Sequence, residues 1–212
     1  MKRFKIISLF LFVVIFFPKI SSGQDTAKYQ MRENFKREII IQNKRFRVYN
    51  NWFSGGGGFA LNSANPYLQT VIAINMNFHI HQYYFRLGGM MSGDNFGLWN
   101  NYQFHAGWIP YRKENEKYNL ILLGALSYST GYKFIGLDAN KIHVYDNLHP
   151  YSEAGGYAEV QYIRKIYYDV GLGGAFFVNV NSKNTIVGIR ADLYLSGAYK
   201  GYVKGKEPIR RQ

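Results

Sequence analysis

The stretch AINMNFHIH, from Ala73 to His81, alternates apolar and polar side chains without interruption. Its apolar positions are Ile74, Met76, Phe78 and Ile80, and its polar positions are Asn75, Asn77, His79 and His81. A period of two residues is that of a β-strand with one apolar and one polar face. In a soluble protein the apolar face packs on a core. In a membrane-spanning barrel it meets lipid, and the polar face lines the interior.

The N-terminal segment has the features of a secretory signal peptide. A basic start, MKRFK, precedes an apolar run from Ile6 to Phe17, and Pro18 ends that run. The small residues that signal peptidase reads follow and end at Gly23. The run is too short to span a bilayer comfortably. We therefore expect export and a mature chain that begins at Gln24.

The composition narrows the class of protein. The chain has 212 residues, no cysteine, 22 glycines, 19 tyrosines and a formal net charge of +13. For an exported protein, the lack of cysteine excludes a disulfide framework. The basic residues concentrate near the two ends of the chain rather than in one stripe, so nucleic acid is not an expected partner. A composition rich in tyrosine and glycine is typical of a transmembrane β-barrel.

About eight segments of strand character follow the N-terminal region. They are Arg47–Leu61, Tyr67–His81, Tyr83–Met91, Asn101–Tyr111, Tyr118–Tyr132, Gly155–Ile163, Tyr167–Val180 and Thr185–Ser196. The connections alternate between short turns and longer loops, as in an up-and-down meander that crosses an outer membrane. The sequence thus predicts an all-β fold, an up-and-down antiparallel transmembrane β-barrel of about eight strands. An even strand count places both ends on the periplasmic side, where a signal peptide delivers the N-terminus.

The distribution of charge along these strands favours lipid on the apolar side. The polar faces carry five charged residues, Arg86, Glu159, Asp169, Arg190 and Asp192. If the apolar faces meet lipid, these residues form a charged network inside a narrow barrel, where opposite charges pair. The alternative is a soluble, lipocalin-like ligand-binding barrel in the periplasm. Such a barrel would have to enclose many large aromatic side chains.

From about Arg47 to Ser196 the chain resembles the small outer-membrane β-barrel families of Gram-negative bacteria. The resemblance is one of pattern, and no motif identifies a subfamily. It implies a location in the bacterial outer membrane. Members of such families usually end on an aromatic residue that closes the last strand. Here a basic tail, YKGYVKGKEPIRRQ, follows, so either Tyr202 takes that role or the tail is a periplasmic extension.

These features divide the chain into four parts. We expect a signal peptide at 1–23, a polar periplasmic leader at 24–44, the barrel at 45–197 and a basic periplasmic tail at 198–212. The leader favours a short helix around Tyr29 to Ile39. Four glycines, at positions 55–58, lack the Lys and Ser/Thr that follow the glycines of a phosphate-binding loop. Glycines inside a strand more often mark tight curvature or the close approach of another backbone.

Three histidines of the strands raise the question of a metal site. His79 and His81 form an H-x-H pair on one face of a strand, a geometry that can bind a metal, and His105 lies two strands away. Their favoured interpretation is a hydrogen-bonded polar lining of the barrel. We expect no cofactor.

An outer-membrane lipid hydrolase or acyl-modifying enzyme is the catalytic alternative. It needs a nucleophile, a base and an orienting acid within reach of one another. The candidates are Ser127, Ser129, His105 and Glu159. None has the G-x-S-x-G framing of a nucleophile elbow. We expect the chain not to be an enzyme.

A long connection at 133–154 is the most distinctive segment outside the strands. Connections longer than about 12 to 15 residues are usually functional or disordered. Its candidate contact residues are Phe134, Ile142, Val144, Tyr145 and Tyr151. Eight strands leave an interior that side chains fill, so a pore is not expected. The sequence predicts a structural or interaction protein that contacts outer-membrane lipid and, through this loop, a protein partner. The alternative is a loop that folds over the barrel mouth.

Overall fold

The computed structural model describes residues 38–47, 50–80, 83–93, 99–134 and 148–203. Within them the chain forms eleven strands. They are β1 (Glu38–Ile41), β2 (Lys44–Arg47), β3 (Trp52–Asn62), β4 (Asn65–Ile80), β5 (Tyr83–Gly93), β6 (Trp99–Glu114), β7 (Tyr118–Phe134), β8 (Leu148–Tyr167), β9 (Val170–Asn181), β10 (Thr185–Ser196) and β11 (Tyr199–Tyr202). The predicted signal peptide, the Gln24 cleavage point and most of the leader lie outside the described residues. No helix in the described ranges is long and apolar enough to cross a membrane.

Strands β3 to β10 close into an eight-stranded antiparallel barrel. Each strand pairs with its neighbours in the chain, and β10 pairs back onto β3 from Ile186↔Asn62 to Ser196↔Trp52. The first and last strands of the meander therefore complete the cylinder. This confirms the predicted fold class and the predicted strand count.

The barrel has its apolar face outside. Phe104 and Leu126, on neighbouring strands, are 73% and 70% exposed. The residues that alternate with them, such as His105 and Ser127, are almost completely buried. The same alternation holds in the opening stretch, where Ile74 and Met76 face outward and Asn75 and Asn77 face inward. A barrel with an apolar wall and a polar interior is a transmembrane barrel, so the soluble lipocalin-like alternative is wrong.

Large inward side chains of β10 lie between small residues of the two adjacent strands. The pairs are Gly58 and Ala175 beside Arg190, Gly56 and Gly173 beside Asp192, and Ser54 and Gly171 beside Tyr194. A Cβ atom on Gly58 would lie 2.0 Å from the carbonyl oxygen of Ile189. The glycine run of β3 thus provides room for a neighbouring strand and its bulky side chains. This agrees with the close backbone approach expected from the sequence.

A second, three-stranded sheet lies at the end of the barrel where the chain enters and leaves, which we call the terminal end. Its order is β1-β2-β11. Phe46 of β2 packs on Tyr168 of the β8–β9 turn, with ring centroids 5.1 Å apart. The backbone nitrogen of Arg47 donates a hydrogen bond to the carbonyl oxygen of Ala198, at 2.7 Å. The end of the leader and the start of the tail therefore pair with each other. Glu38 and Ile39, where a short helix was expected to end, are strand.

Several strands extend beyond their predicted bounds. Strand β8 runs to Tyr167, so its turn to β9 lies at residues 168–169 and not in the RKI segment at 164–166. Strand β6 runs to Glu114, after a register shift between Trp108 and Tyr111. The shift puts Tyr111 on the outer wall and turns Arg112 inward. Both extensions carry charged side chains into the terminal end of the barrel.

We predict that Gly58→Ala destabilises the barrel, because its new methyl group would overlap the backbone of β10. Overpacking of this kind typically costs about 1 to 3 kcal/mol. The control is Gly57→Ala, since a Cβ there meets only the carbonyl oxygen of Val71, at an ordinary contact distance of 3.5 Å. Urea unfolding of the refolded protein in detergent measures both variants. Equal midpoints for the two variants would contradict this account of the glycine run.

Candidate functional site

Four charged side chains meet in the middle of the barrel. Arg86 Nη1 donates to Glu159 Oε1 at 2.5 Å, and Arg190 Nη2 donates to the other carboxylate oxygen of Glu159 at 2.8 Å. Arg190 Nε also donates to Asp192 Oδ1 at 2.7 Å. The side chains of all four residues are fully buried. Glu159 therefore bridges two arginines from opposite sides of the interior.

A glutamine closes these contacts into a ring. Gln161 Nε2 donates to Asp192 Oδ2 at 2.5 Å, and Gln161 Oε1 accepts from Arg86 Nη2 at 3.1 Å. The result is a closed circuit through Arg86, Glu159, Arg190, Asp192 and Gln161, which we call the interior ring. It holds two cations and two anions, so its formal charge is zero. Its members come from β5, β8 and β10, and it therefore spans the cross-section of the barrel.

Neighbouring polar groups complete the coordination of the interior ring. Tyr157 donates its hydroxyl hydrogen to Glu159 Oε2 at 2.5 Å, and its oxygen accepts from Arg190 Nη1 at 3.1 Å. Asn77 Oδ1 accepts from Arg86 Nε at 2.6 Å. Burying a charge without a partner is costly, and pairing offsets that cost only when the remaining hydrogen bonds are also made. Here Glu159 accepts from three donors, so its burial is well compensated.

Asp169 does not belong to the interior ring, and its predicted place in the network is wrong. It lies in the β8–β9 turn at the terminal end, where it is only half buried. The prediction started the seventh barrel strand at Tyr167, whereas β9 starts at Val170. The other four predicted residues come together as described above.

The candidate metal ligands do not converge. His105 Nε2 lies 3.1 Å from Asn75 Oδ1, and its ring stacks on Tyr157 with centroids 4.2 Å apart. His79 is four residues beyond Asn75 on β4, about 13 Å along the strand, and its ring packs on Tyr84. His81 lies outside the described residues. Within the described ranges, no group of three or more His, Cys, Asp or Glu side chains could hold a metal ion.

The candidate hydrolase residues face the interior and not the lipid. Ser127 Oγ donates to Asn179 Oδ1 at 2.6 Å, and Ser129 Oγ accepts from Asn179 Nδ2 at 2.9 Å. His105 and Glu159 hold the contacts given above. All four candidates are at most 5% exposed. A lipid acyl chain outside the barrel cannot reach a hydroxyl group that is enclosed inside it.

A second charged cluster, which the sequence analysis missed, lies at the terminal end of the interior. Glu114 accepts from both Arg112 and Lys165, and the guanidinium of Arg112 lies 4.0 Å from the ring centroid of Trp52. The Lys165 ammonium lies 4.0 Å from the ring of Tyr168. The predicted strands ended at Tyr111 and Ile163, so Arg112, Glu114 and Lys165 were left in the connections and the cluster was missed. Apolar Ile163 faces inward and charged Arg164 faces outward, so the alternation breaks just before Lys165 and gave no clear sequence signal for this cluster.

Strands β7 and β8 extend past their neighbours at the opposite end, which we call the loop end. The last β6–β7 pair is Asn101↔Gly131, and the pairing of β8 with β9 starts only at Gly155. The β7–β8 pairing continues to Phe134↔Leu148. Residues 148–154 therefore pair with β7 alone. Only the three pairs from Tyr132↔Pro150 to Phe134↔Leu148 lie beyond the last β6–β7 pair, so the two-stranded ribbon reaches about 10 Å past that pair. We call residues 132–134 and 148–154 the extended hairpin.

The extended hairpin occupies the two ends of the predicted loop at 133–154. Residues 135–147, which include the candidate contacts Ile142, Val144 and Tyr145, lie outside the described residues, as does the side chain of Phe134. Tyr151 is described, and its hydroxyl donates to Asn101 Oδ1 at 2.9 Å and accepts from Asn184 Nδ2 at 2.5 Å. Tyr151 therefore anchors the base of the hairpin to the barrel mouth. Its role as a loop contact residue stays a prediction.

Several solved structures are similar to this chain. Neisserial surface protein A matches with a TM-score of 0.53 and 11% identity, over 68% of this chain and 96% of that one. The N-terminal β-barrel domain of Pseudomonas aeruginosa OprF has a TM-score of 0.49 and 6% identity, over 69% and 98%. Ail, the attachment invasion locus protein of Yersinia pestis, has a TM-score of 0.45 and 10% identity, over 72% and 99%. Neither a family model nor a curated protein matches the chain.

The match to Neisserial surface protein A shows the fold, at an identity too low to transfer a function. The structure itself leads to the same fold class, because the barrel closes with eight strands, has an apolar outer wall and has a polar interior. The chain is a small, eight-stranded transmembrane β-barrel with the fold of Neisserial surface protein A.

We predict that Arg190→Leu destabilises the barrel by about 3 to 5 kcal/mol, because it leaves Glu159 and Asp192 with fewer partners in a buried site. Ile189→Leu is the matched control, since it introduces the same side chain one residue away on the outer wall and should be nearly neutral. Ile189→Arg should cost about 2 to 4 kcal/mol near the bilayer midplane, because it exposes a charge to lipid. Urea midpoints of the refolded protein measure all three variants. A neutral Arg190→Leu would show that the interior ring does not stabilise the barrel.

Proposed function

We propose that the protein resides in a bacterial outer membrane as a closed, non-catalytic barrel, and that it presents the extended hairpin to partners outside the cell. The observation that carries the proposal is the combination of a filled interior with one ribbon that outreaches the rest of the barrel. The fold match supports the membrane class. The role as an interaction protein is our inference from the geometry.

The interior ring supports a barrel that does not conduct. Two arginines, two carboxylates and a glutamine occupy the middle of the lumen and bond to one another. An ion that passed would have to break contacts that compensate fully buried charges. Eight-stranded barrels in general leave an interior just wide enough for side chains. The lumen therefore serves stability, and the surfaces at the two ends remain for function.

The extended hairpin supports a role in binding. A ribbon of two strands has backbone groups on its outer edges that are not paired within the described structure, and such edges can accept a strand from another chain. Its base is rigid, because Tyr151 bonds to both Asn101 and Asn184, and Tyr128 and Ser152 share a hydrogen bond at 2.6 Å. A rigid base that carries the ribbon past both neighbouring strands suits contact with a protein partner better than closure of the barrel mouth.

We predict that the loop end faces the cell exterior and the terminal end faces the periplasm. The chain has no cysteine, so single cysteines report on their own positions. A membrane-impermeant maleimide should label His149→Cys in intact cells. It should label Lys117→Cys, in the β6–β7 turn, only after the outer membrane is permeabilised. Labelling of Lys117→Cys in intact cells would contradict the proposed orientation.

We predict that partner contact is specific to the extended hairpin. A photoreactive benzoylphenylalanine in place of His149 should give a discrete cross-linked species on intact cells. The same substitution at Ser182 is the matched control, because Ser182 lies in the β9–β10 turn at the same end of the barrel without the reach of the hairpin. Equal cross-linking from both positions, or none from position 149, would count against an interaction role for the hairpin.

A further inference from the structure

The outer wall of the barrel is almost free of charge. Among barrel-strand residues whose side chains the structure describes, two that face outward are charged, Lys113 on β6 and Arg164 on β8. Both are cations, and both are exposed. Neither takes part in the ion pairs found among the described residues. We call them the wall pair.

The members of the wall pair lie close together. Lys113 is opposite Leu120 of β7, Leu120 is opposite Tyr162 of β8, and Arg164 lies two residues further along β8. Two strand spacings and two residues separate them, which places their Cα atoms about 12 Å apart. Lysine and arginine side chains are long enough for both charges to reach one group between them. Glu116 and Lys117, in the adjacent turn, cancel each other and leave a local charge of +2.

The wall pair lies at the level of an aromatic belt. Tyr111, Tyr162 and Tyr167 are 41%, 49% and 66% exposed on the same part of the wall. The rings of Tyr118 and Tyr162 stack with centroids 6.0 Å apart. Exposed tyrosines of membrane barrels lie at the headgroup level of the bilayer. The wall pair therefore meets lipid headgroups, and their phosphates lie within reach.

The two ends of the wall differ in the charged residues that accompany their exposed tyrosines. At the loop end, Tyr102, Tyr128 and Tyr132 are also exposed, but no outward strand side chain that the structure describes there is a cation. Lys183, in the β9–β10 turn, pairs with Glu153 at 3.9 Å. Among the barrel-strand side chains that the structure describes, the outward cations thus lie at the terminal end and on the β6–β8 side of the barrel.

We propose that Lys113 and Arg164 form a binding site for the phosphate of an anionic phospholipid in the leaflet at the terminal end. Tyr111 and Tyr162 flank the site, and their hydroxyl groups are available to donate to phosphate oxygens. Leu120 and the neighbouring outward aliphatic residues contact the acyl chains. The site rests on the membrane placement proposed above and adds a preferred lipid at a defined position on the wall.

The test measures lipid preference with the full mature chain refolded into phosphatidylcholine vesicles that contain brominated phosphatidylglycerol. Bromine quenches tryptophan fluorescence, and Trp108 lies on β6 near Lys113. Each lysine or arginine near a membrane surface strengthens the binding of an anionic lipid about fivefold. The wild type should therefore prefer phosphatidylglycerol about 25-fold at low salt, and the double variant Lys113→Gln, Arg164→Gln should show a ratio near one. Each single variant should lose about fivefold.

The control variant Arg47→Gln, Lys200→Gln removes the same charge from the small sheet and should keep the wild-type preference. Loss in the control, or retention in the double or single variants, would overturn the site. A third result would also overturn the site. If sodium phosphate abolishes the lipid preference and sodium chloride of equal ionic strength does not, the ligand is free phosphate and not the lipid. A wild type that inserts but shows no preference overturns only this site. A wild type that does not insert overturns the membrane placement as well.

Discussion

The constraint on which the rest of the structure depends is that a bilayer interior offers no water to backbone N–H and C=O groups. A sheet can satisfy this constraint only by closing on itself, because any open edge would leave unpaired groups in hydrocarbon. The pairing of β10 with β3 over eleven residue pairs performs that closure. Closure at eight strands fixes a narrow interior. The small residues beside Arg190, Asp192 and Tyr194 follow from that lack of space.

The interior is polar because the apolar face of each barrel strand points outward, so the polar face points into the lumen. Charges enclosed in such a space stabilise the fold only if they compensate one another, and the interior ring does so with a formal charge of zero. The Arg112–Glu114–Lys165 cluster carries one positive charge nearer the terminal end, beside the rings of Trp52, Tyr84 and Tyr168. Cation–π contacts of this kind offset part of the cost of removing the cation from water.

Sequence periodicity was sufficient for the fold and for most of the interior ring, because a period of two assigns each residue to a face regardless of its partners. Thr185–Ser196 was predicted with its observed bounds, and its charges pointed inward as expected. The sequence period assigned the wrong face or element where a register shift or a displaced turn interrupts the alternation. The shift near Trp108 changed the face of Arg112, and the late β8–β9 turn removed Asp169 from the lumen. Pairing across strands, such as Gln161 with both Asp192 and Arg86, depends on register, which a single strand does not encode.

The interior ring also carries a consequence for assembly. Its contacts join residues 73 and 75 positions apart across β5 and β8, and 31 positions apart across β8 and β10. Contacts of such long range form late, since the intervening chain must first be arranged. While β10 is unplaced, Glu159 lacks one of its two arginines and Gln161 lacks its carboxylate. The circuit is complete only when the last barrel strand is in position. The buried charges are thus fully compensated only in the closed barrel, which lowers its free energy relative to partly assembled forms.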